Sequence, residues 1–380
     1  MTTDTVDAAL SSPQPAVLHN EPVTAMESLV LQTAPLLDPA WVQYEREMKL
    51  PTPRPVIDPV VRQPIYAQEC RALAAEMTAP GTRDHHLAQG ITTVEMTVPS
   101  SSGEDGFAIP VLRYDLAAAA ADDGETNSPR TIVVYYHGGG LHVGEADSED
   151  LQCRRILKES GVPGLTTLYS VGYRLMPQHP ASTCVADCVD AFRSIRQLSV
   201  DHSGTDTKIL IVGSSSGGQL AALVSQAVAS ESESEGSSSS SRLHGVLLRC
   251  PVTSDAFSGP EYVPEQLRDM HTSAWDMSFL TSLLGIMKRK VPRDGLAKMP
   301  LEASSEELRK LPRHWIQVCT NDMLYSDGVC YARALKDAGV EVQVDVVKGW
   351  PHTFWLKAPH LEQAREADKK MLSGLAWVAE

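Results

Sequence analysis

The sequence predicts an α/β protein with a mostly parallel central sheet, helices on both faces of the sheet, and a helical cap. Two observations support this fold class. From Thr131 onward, short apolar segments alternate with longer amphipathic ones, and near-continuous apolar strands are typical of parallel sheets covered by helices. The composition, 42% hydrophobic and 21% charged over 380 residues, is that of an ordinary globular protein.

The first part of the chain is predicted to lie outside the sheet. Residues 1–25 are small, polar and proline-containing, and we expect them to be flexible. Residues 26–90 contain two helical patterns, AWVQYEREMKL and PIYAQECRALAAEM, and form a predicted N-terminal helical cap region. The next two β-rich segments, ITTVEMTVP and FAIPVLRYD, are joined by a turn-like stretch and predict a hairpin.

The core is predicted to comprise residues 91–252 and 312–380. Strand-like and helix-like segments alternate through it, which favours parallel strands with helical crossovers. The predicted strands are TIVVYYH, LTTLYSVGY, TKILIVG, LHGVLLRC, HWIQVCT and VEVQVDVV. The predicted helices are DLQCRRILKESG, STCVADCVDAFRSIRQL, GGQLAALVSQAVAS, GVCYARALKDAG and a last one that closes the chain.

Two insertions interrupt this alternation. Residues 230–242 are rich in serine and glutamate and predict a disordered surface loop. Residues 253–311 form a predicted cap insertion with a helix over SAWDMSFLTSLLGIMKRK. We expect it to cover the carboxyl edge of the sheet, where open α/β sheets bind ligands. Its apolar side chains would either line a hydrophobic pocket or pack the cap onto the core: Trp275, Met277, Phe279, Leu280, Leu283, Leu284, Ile286 and Met287.

Composition excludes several classes of protein. A formal net charge of −15 argues against binding to nucleic acid and against a polybasic membrane anchor. The sequence has no apolar run near the ~20 residues of a membrane span and no secretory signal, so we expect no stable membrane insertion. The seven cysteines are scattered without a CxxC pair, which predicts free thiols in a reducing compartment. We therefore expect a cytoplasmic protein, and the sequence leaves its oligomeric state open.

One GxSxG motif, Gly213 to Gly217, follows a predicted strand and opens a predicted helix. A serine on such a tight turn has a strained backbone, and the flanking glycines avoid clashes where strand and helix crowd together. The third position of the motif is the exposed one, so Ser215 is the predicted nucleophile. The alternative is a Gly/Ser-rich turn without chemistry.

A serine hydroxyl is a weak nucleophile until a base takes its proton. His352 follows one late strand and Asp322 follows the strand before it, so both lie where the loops of the sheet converge. We predict that Asp322 orients the imidazole of His352 and that His352 takes the proton from Ser215. Asp327 is the alternative acid, but its place at the start of the next helix is typical of an N-terminal charge.

Three consecutive glycines follow His137 at the end of the first long predicted strand. Glycine lets the backbone come close to a substrate, and an amide aimed at the developing oxyanion contributes about 10²–10³ in rate. We predict an oxyanion hole made by the amides of Gly138, Gly139 and Ser216, and a structural role for His137. The segment lacks the residues of a phosphate-binding loop, and we expect neither a metal nor a cofactor.

Five segments carry a resemblance to a known family: YYHGGGLHVG, YSVGYRLMPQHPAS, GSSSGG, CTNDMLYSDG and GWPHTFW. In this order they resemble the signatures of the hormone-sensitive-lipase-like serine esterases, the HGGG-bearing branch of the α/β-hydrolase superfamily. The resemblance implies the α/β-hydrolase fold and a Ser215–Asp322–His352 triad. It also implies a cap built from the N-terminal helices and the insertion after Cys250. Four positions depart from the family pattern without removing a catalytic group: Leu141, Met176, Gln178 and Ser216.

The resemblance implies a serine hydrolase that cleaves a carboxylic ester of a small to medium, largely apolar substrate through an acyl-enzyme intermediate. The same triad would serve a biosynthetic acyltransferase, a lactone or thioester hydrolase, or an arylformamidase-like amidase, and the sequence leaves these open. The serine tract is of a fungal style, and fungal members of this family often serve natural-product pathways. The least favoured alternative is a non-catalytic receptor like the gibberellin receptor of plants, which has lost the catalytic histidine that is present here as His352.

Overall fold

The computed structural model describes residues 26–52, 57–102, 106–117, 130–203, 207–234 and 241–380. The predicted flexible segment 1–25 lies outside these ranges. Of the loop predicted over residues 230–242, the first five residues belong to a helix and the last two to a strand, so the prediction placed both ends of the loop too far out. Residues 235–240 lie outside the described part of the chain.

The centre of the protein is an eight-stranded sheet in the order β1-β2-β4-β3-β5-β6-β7-β8. The first two strands form an antiparallel hairpin and β2 is antiparallel to β4, whereas the strands from β3 to β8 pair in parallel. The predicted mostly parallel sheet is therefore confirmed. The strands are β1 Ile91–Pro99, β2 Ala108–Leu116, β3 Arg130–Tyr136, β4 Leu165–Val171, β5 Thr207–Ser214, β6 Ser241–Arg249, β7 Arg313–Asn321 and β8 Val342–Pro351.

Helices cover both faces of this sheet because the buried strands are apolar on both sides. In β3, Ile132 and Val134 belong to one apolar cluster and Val133 and Tyr135 to another, as expected where successive side chains point to opposite faces. Helices α4, α5 and α7 pack in the first cluster, and α3 and α9 in the second. The α-helices are α1 Pro39–Glu47, α2 Pro59–Met77, α3 Asp150–Glu159, α4 Ala181–Ser203, α5 Ser216–Ser234, α6 Ser305–Leu308, α7 Tyr325–Asp337, α8 Phe354–Lys357 and α9 Glu362–Ala379.

The insertion at residues 253–311 lacks the predicted long helix. The structure describes this segment completely, and its α-helical part is the four-residue α6 alone; the rest is turns and short 3-10 helices such as Met277–Phe279. The reason is tertiary anchoring. Ser273 donates to the carbonyl of Met323 (2.8 Å), Trp275 donates to that of Ala256 (3.0 Å), and Phe279 is fully buried in the core. These contacts fix the segment to the rest of the protein at three points between Ser273 and Phe279.

The N-terminal segment crosses the carboxyl ends of β7 and β8. The amide of Asp38 donates to the carbonyl of Gly349 (2.8 Å), and the side-chain amide of Asn321 donates to the carbonyl of Pro35 (2.6 Å). The segment also meets the insertion, since the amide of Ala34 donates to Ser278 Oγ (2.8 Å). Both predicted cap regions therefore lie together near this edge of the sheet.

Two further features of the structure are the state of the cysteines and the character of the helices. All seven cysteines are free thiols and six of them are buried. Among the described helices, none combines the length and apolar character needed to cross a bilayer.

Candidate active site

Ser215 lies in the sharp turn between β5 and α5. Its backbone has a φ of 53°, a left-handed conformation that costs free energy for a residue other than glycine. The turn requires glycine at position 217, because a Cβ there would lie 2.0 Å from the carbonyl oxygen of Tyr136. Ser214 and Ser216 are buried, whereas Ser215 is partly exposed. The local structure thus presents the predicted serine and hides its two neighbours.

The structure brings Ser215, His352 and Asp322 together from three separate loops. His352 Nε2 lies 2.9 Å from Ser215 Oγ, and its Nδ1 lies 2.7 Å from Asp322 Oδ2. The other carboxylate oxygen of Asp322 accepts the amide of Leu324 at 2.9 Å, which fixes the carboxylate. A nucleophile, a base and an orienting acid in this arrangement can carry out nucleophilic catalysis.

The surroundings of His352 shift the pKa of its ring in opposite directions. Burial disfavours a charged ring, but the Asp322 carboxylate and the Cys250 thiol outweigh burial and raise the pKa of His352 above its ordinary value. Asp322 would therefore stabilise the imidazolium that forms when His352 accepts a proton.

Cys250 is part of this site, and sequence reasoning missed it. It follows β6 with a φ of 44°, and its sulfur, a ring nitrogen of His352 and a carboxylate oxygen of Asp322 lie within 4.8 Å of one another. Burial raises the pKa of the Cys250 thiol, but Cys319 and His352 lower it to about 7. These donor types also bind zinc, although a metal here would have to displace the hydrogen bond between His352 and Asp322. A single cysteine after a strand carries no motif that could have predicted this contact.

Asp327, the alternative acid, has another role. Its fully buried carboxylate accepts hydrogen bonds from the amides of Thr253 (2.6 Å) and Ser254 (2.9 Å) and pairs with His271 Nε2 (2.7 Å). These bonds hold the start of the insertion against α7. Asp327 is therefore engaged with the insertion, while His352 pairs with Asp322.

The glycine loop differs from the prediction at one donor. The amide of Gly138 donates to Glu149 Oε1 at 2.7 Å, so it is not available to a substrate, contrary to the prediction. Among the described residues, the amides of Gly139 and Gly140 have no protein acceptor. Gly139 has a φ of 119°, and a Cβ there would lie 2.0 Å from the carbonyl oxygen of Val143. Gly140 is the third glycine of the motif, and its place there could have indicated that its amide is a donor.

The loop is held next to the nucleophile turn. The amide of Leu141 donates to Ser216 Oγ at 3.2 Å, and the amide of Ser216 lies in the first turn of α5, where helical amides lack intrahelical acceptors. Among the described residues of the glycine loop and the nucleophile turn, the amides without a protein acceptor therefore include those of Gly139, Gly140 and Ser216.

His137 is buried behind this loop. Its ring stacks on Tyr173 with centroids 4.3 Å apart, and its Nδ1 lies 2.8 Å from the carbonyl oxygen of Gly138. Burial lowers the pKa of His137 to about 4, so the ring is neutral near pH 7. These contacts agree with the structural role expected for it.

The apolar side chains of the insertion fall into three groups. Phe279 and Leu280 pack into the core and Leu283 packs beside the aromatic residues around Trp350. Leu284 and Met287 pack against Val252, Met299 and Leu324. Because Val252 donates its amide to the Ser215 carbonyl (3.3 Å) and Leu324 follows Asp322, this second group forms an apolar wall beside the site. Trp275, Met277 and Ile286 are about half exposed.

Comparison with known proteins identifies the family. A family model described as the alpha/beta hydrolase fold matches residues 133–356. The chain belongs to the α/β-hydrolase family. This α/β-hydrolase is 31% identical over 278 residues to an ethyl acetate hydrolase of Pseudomonas putida, covering 70% of the chain and 78% of the relative. It is also 31% identical to the FAD-linked oxidoreductase pytB of Aspergillus terreus over 66% of the chain, which spans only 30% of that protein.

A solved structure supports the same fold. The esterase of Pyrobaculum calidifontis superposes with a TM-score of 0.67 over 91% of this α/β-hydrolase and 99% of the esterase, at 24% identity. The predicted fold and the resemblance to serine esterases are confirmed by these findings. The expectation that the chain is an enzyme of the carboxylic ester hydrolase class is confirmed as well.

Proposed function

We propose that this α/β-hydrolase cleaves a carboxylic ester of a small to medium, largely apolar substrate, using Ser215, His352 and Asp322 as its catalytic triad. One observation carries the proposal: a continuous hydrogen-bond chain from Ser215 Oγ through both nitrogens of His352 to Asp322, with distances of 2.9 and 2.7 Å. Such a chain lets the imidazole take the hydroxyl proton while the carboxylate stabilises the resulting charge.

In the proposed mechanism, Ser215 Oγ attacks the ester carbonyl carbon as His352 Nε2 takes its proton. The carbonyl oxygen becomes negative and receives hydrogen bonds from the amides of Gly139, Gly140 and Ser216. His352 then gives the proton to the leaving alcohol oxygen, which leaves an acyl group on Ser215. Water attacks this acyl-enzyme as His352 takes a proton from it, and His352 then returns that proton to Ser215 Oγ as the acid is released.

The apolar wall beside Ser215 supports the proposed substrate class. In this proposal the acyl chain lies against Leu284 and Met287, the partly exposed members of this wall, whereas Val252 and Leu324 are almost completely buried. The 31% identical relative is named an ethyl acetate hydrolase, an enzyme for a small ester, which agrees with a substrate of modest size.

The experiment is a panel of esters whose acyl chains run from two to sixteen carbons, with products identified by mass spectrometry. We expect free acid and alcohol, highest kcat/KM for short or medium chains, and a fall of kcat by about 10⁴-fold or more in Ser215→Ala. The control is Ser230→Ala, an exposed serine further along α5, which should leave kcat unchanged. If Ser215→Ala kept most of the activity of the unaltered enzyme, Ser215 would not be the nucleophile. Exclusive transfer to a non-water acceptor, or turnover of thioesters, lactones or amides alone, would favour the corresponding alternative.

A further inference from the structure

Glu149 is a buried acid that the proposed mechanism does not use. It occupies the N-cap position of α3, but its side chain makes no capping hydrogen bond to that helix, although capping is the usual role of an acceptor side chain there. The residue is only 4% exposed. A carboxylate is costly to bury, so its contacts need an explanation.

The Glu149 carboxylate is surrounded by hydrogen-bond donors from two neighbouring strand ends. Oε1 accepts the amide of Gly138 at 2.7 Å and the hydroxyl of Ser214 at 2.7 Å. Oε2 accepts the hydroxyl of Tyr135 at 2.5 Å and lies 2.9 Å from the Ser214 hydroxyl. Tyr135 lies at the end of β3 and Gly138 two residues after it, whereas Ser214 ends β5. The carboxylate therefore joins the two strand ends directly beneath the site.

The residues that Glu149 holds are direct neighbours of the reacting groups. Ser214 precedes the nucleophile Ser215, and Gly138 precedes Gly139, one of the available amide donors. Because the Gly138 amide can only donate, its partner must be an acceptor, and an ionised carboxylate accepts at both oxygens. Burial raises the pKa of Glu149, while the hydrogen bonds from Tyr135, Gly138 and Ser214 act in the opposite direction.

We propose that Glu149 is a positioning residue that fixes the glycine loop against the nucleophile turn and so sets the distance between Ser215 and the oxyanion donors. This inference rests on the proposed function. Bonds made only in the transition state depend on that distance, because a displacement of about 1 Å at a reacting centre costs about 10² in rate. The loss should therefore fall on kcat rather than on KM.

The first test replaces the carboxylate with an amide of the same shape. In Glu149→Gln only one side-chain oxygen remains as an acceptor. It can accept from the Gly138 amide or from the hydroxyls of Ser214 and Tyr135, but not from all of them. We expect kcat on a p-nitrophenyl ester to fall about 10²-fold with KM within about threefold of the original value. The concentration of folded sites is set by titration with a fluorophosphonate, so that partial unfolding does not count as lost catalysis.

A second test uses two adjacent tyrosines as a matched pair. Tyr135→Phe removes one donor to Glu149, whereas Tyr136→Phe removes a buried hydroxyl bonded to the Cys188 carbonyl (3.0 Å) on the opposite face of the sheet. We expect Tyr135→Phe to lower kcat several-fold and Tyr136→Phe to leave it unchanged. Because each change deletes one hydroxyl, this pair also tests the proposal if Glu149→Gln does not fold.

A trifluoromethyl ketone provides a readout that a purely structural role would not change. Such a ketone forms an oxyanion on the nucleophile, so its affinity should fall by the same factor as kcat/KM in Glu149→Gln and Tyr135→Phe. The proposal is overturned if kcat of Glu149→Gln stays within about twofold of the unaltered enzyme. It is also overturned if both tyrosine variants lose activity equally, or if ketone affinity does not follow kcat/KM. An unaltered enzyme that neither cleaves esters nor reacts with the fluorophosphonate would instead remove the proposed function and this inference with it.

Discussion

Trp41→Ala tests whether the N-terminal segment is an integral part of the active-site region. Trp41 is fully buried, with ring centroids 6.0 Å from Trp350 and 6.5 Å from Phe354, and these two aromatic residues flank His352 in sequence. A buried aromatic side chain removes about 150–250 Å² from water. At about 25 cal/mol per Å² this corresponds to about 4–6 kcal/mol, close to the measured cost of about 3–5 kcal/mol for such truncations.

We therefore expect Trp41→Ala to lower the free energy of unfolding by about 3–5 kcal/mol and to lower kcat, because the loop that carries His352 loses its packing. Urea unfolding followed by tryptophan fluorescence, together with ester kinetics, measures both. The control is Trp275→Ala, since Trp275 is 45% exposed and should cost clearly less. A loss below about 1 kcal/mol with unchanged kcat would refute the reasoning that the segment supports the site.

Three further predictions concern the site itself. Asp322→Asn should lower kcat by about 10⁴-fold, as loss of the orienting carboxylate does in other triads, measured with a p-nitrophenyl ester; a fall of less than tenfold would contradict it. Cys250→Ala removes a group that raises the pKa of His352. Because only the unprotonated ring accepts the serine proton, the rise of kcat/KM with pH should move to lower pH, and an unmoved or upward-shifted profile would argue against that contact. Gly217→Ala places a Cβ 2.0 Å from the Tyr136 carbonyl, so soluble expression and thermal unfolding should show a protein with a much lower Tm; a normal Tm would count against the packing described.

The order of strands and helices in the core was predictable because each segment carries its own periodicity. Ser215 was predictable as well, since the strand–turn–helix context of its motif is local in sequence. His352 and Asp322 are about 140 and 110 residues away from Ser215, yet both could be located. Each directly follows a strand, and the carboxyl ends of parallel strands meet at one edge.

The errors concern features that depend on contacts distant in sequence. The prediction of Gly138 as an oxyanion donor is wrong, because nothing in the local sequence indicates that the Glu149 side chain accepts that amide instead of capping its own helix. The helix expected in the insertion is replaced by turns and short 3-10 helices, in which Trp275 and Phe279 contact residues distant in sequence. Cys250 lies beside His352 because the ends of β6 and β8, which these residues follow, come close together in the fold. In each case tertiary packing outweighed the local pattern.

Reaction with a fluorophosphonate, followed by digestion and mass spectrometry, tests the central claim most directly. The hydrogen-bond chain from Ser215 to His352 and Asp322 predicts a single adduct on Ser215 that forms at least about 10³-fold more slowly in His352→Ala. An adduct on another residue, or labelling of Ser215 at an unchanged rate in His352→Ala, would contradict it.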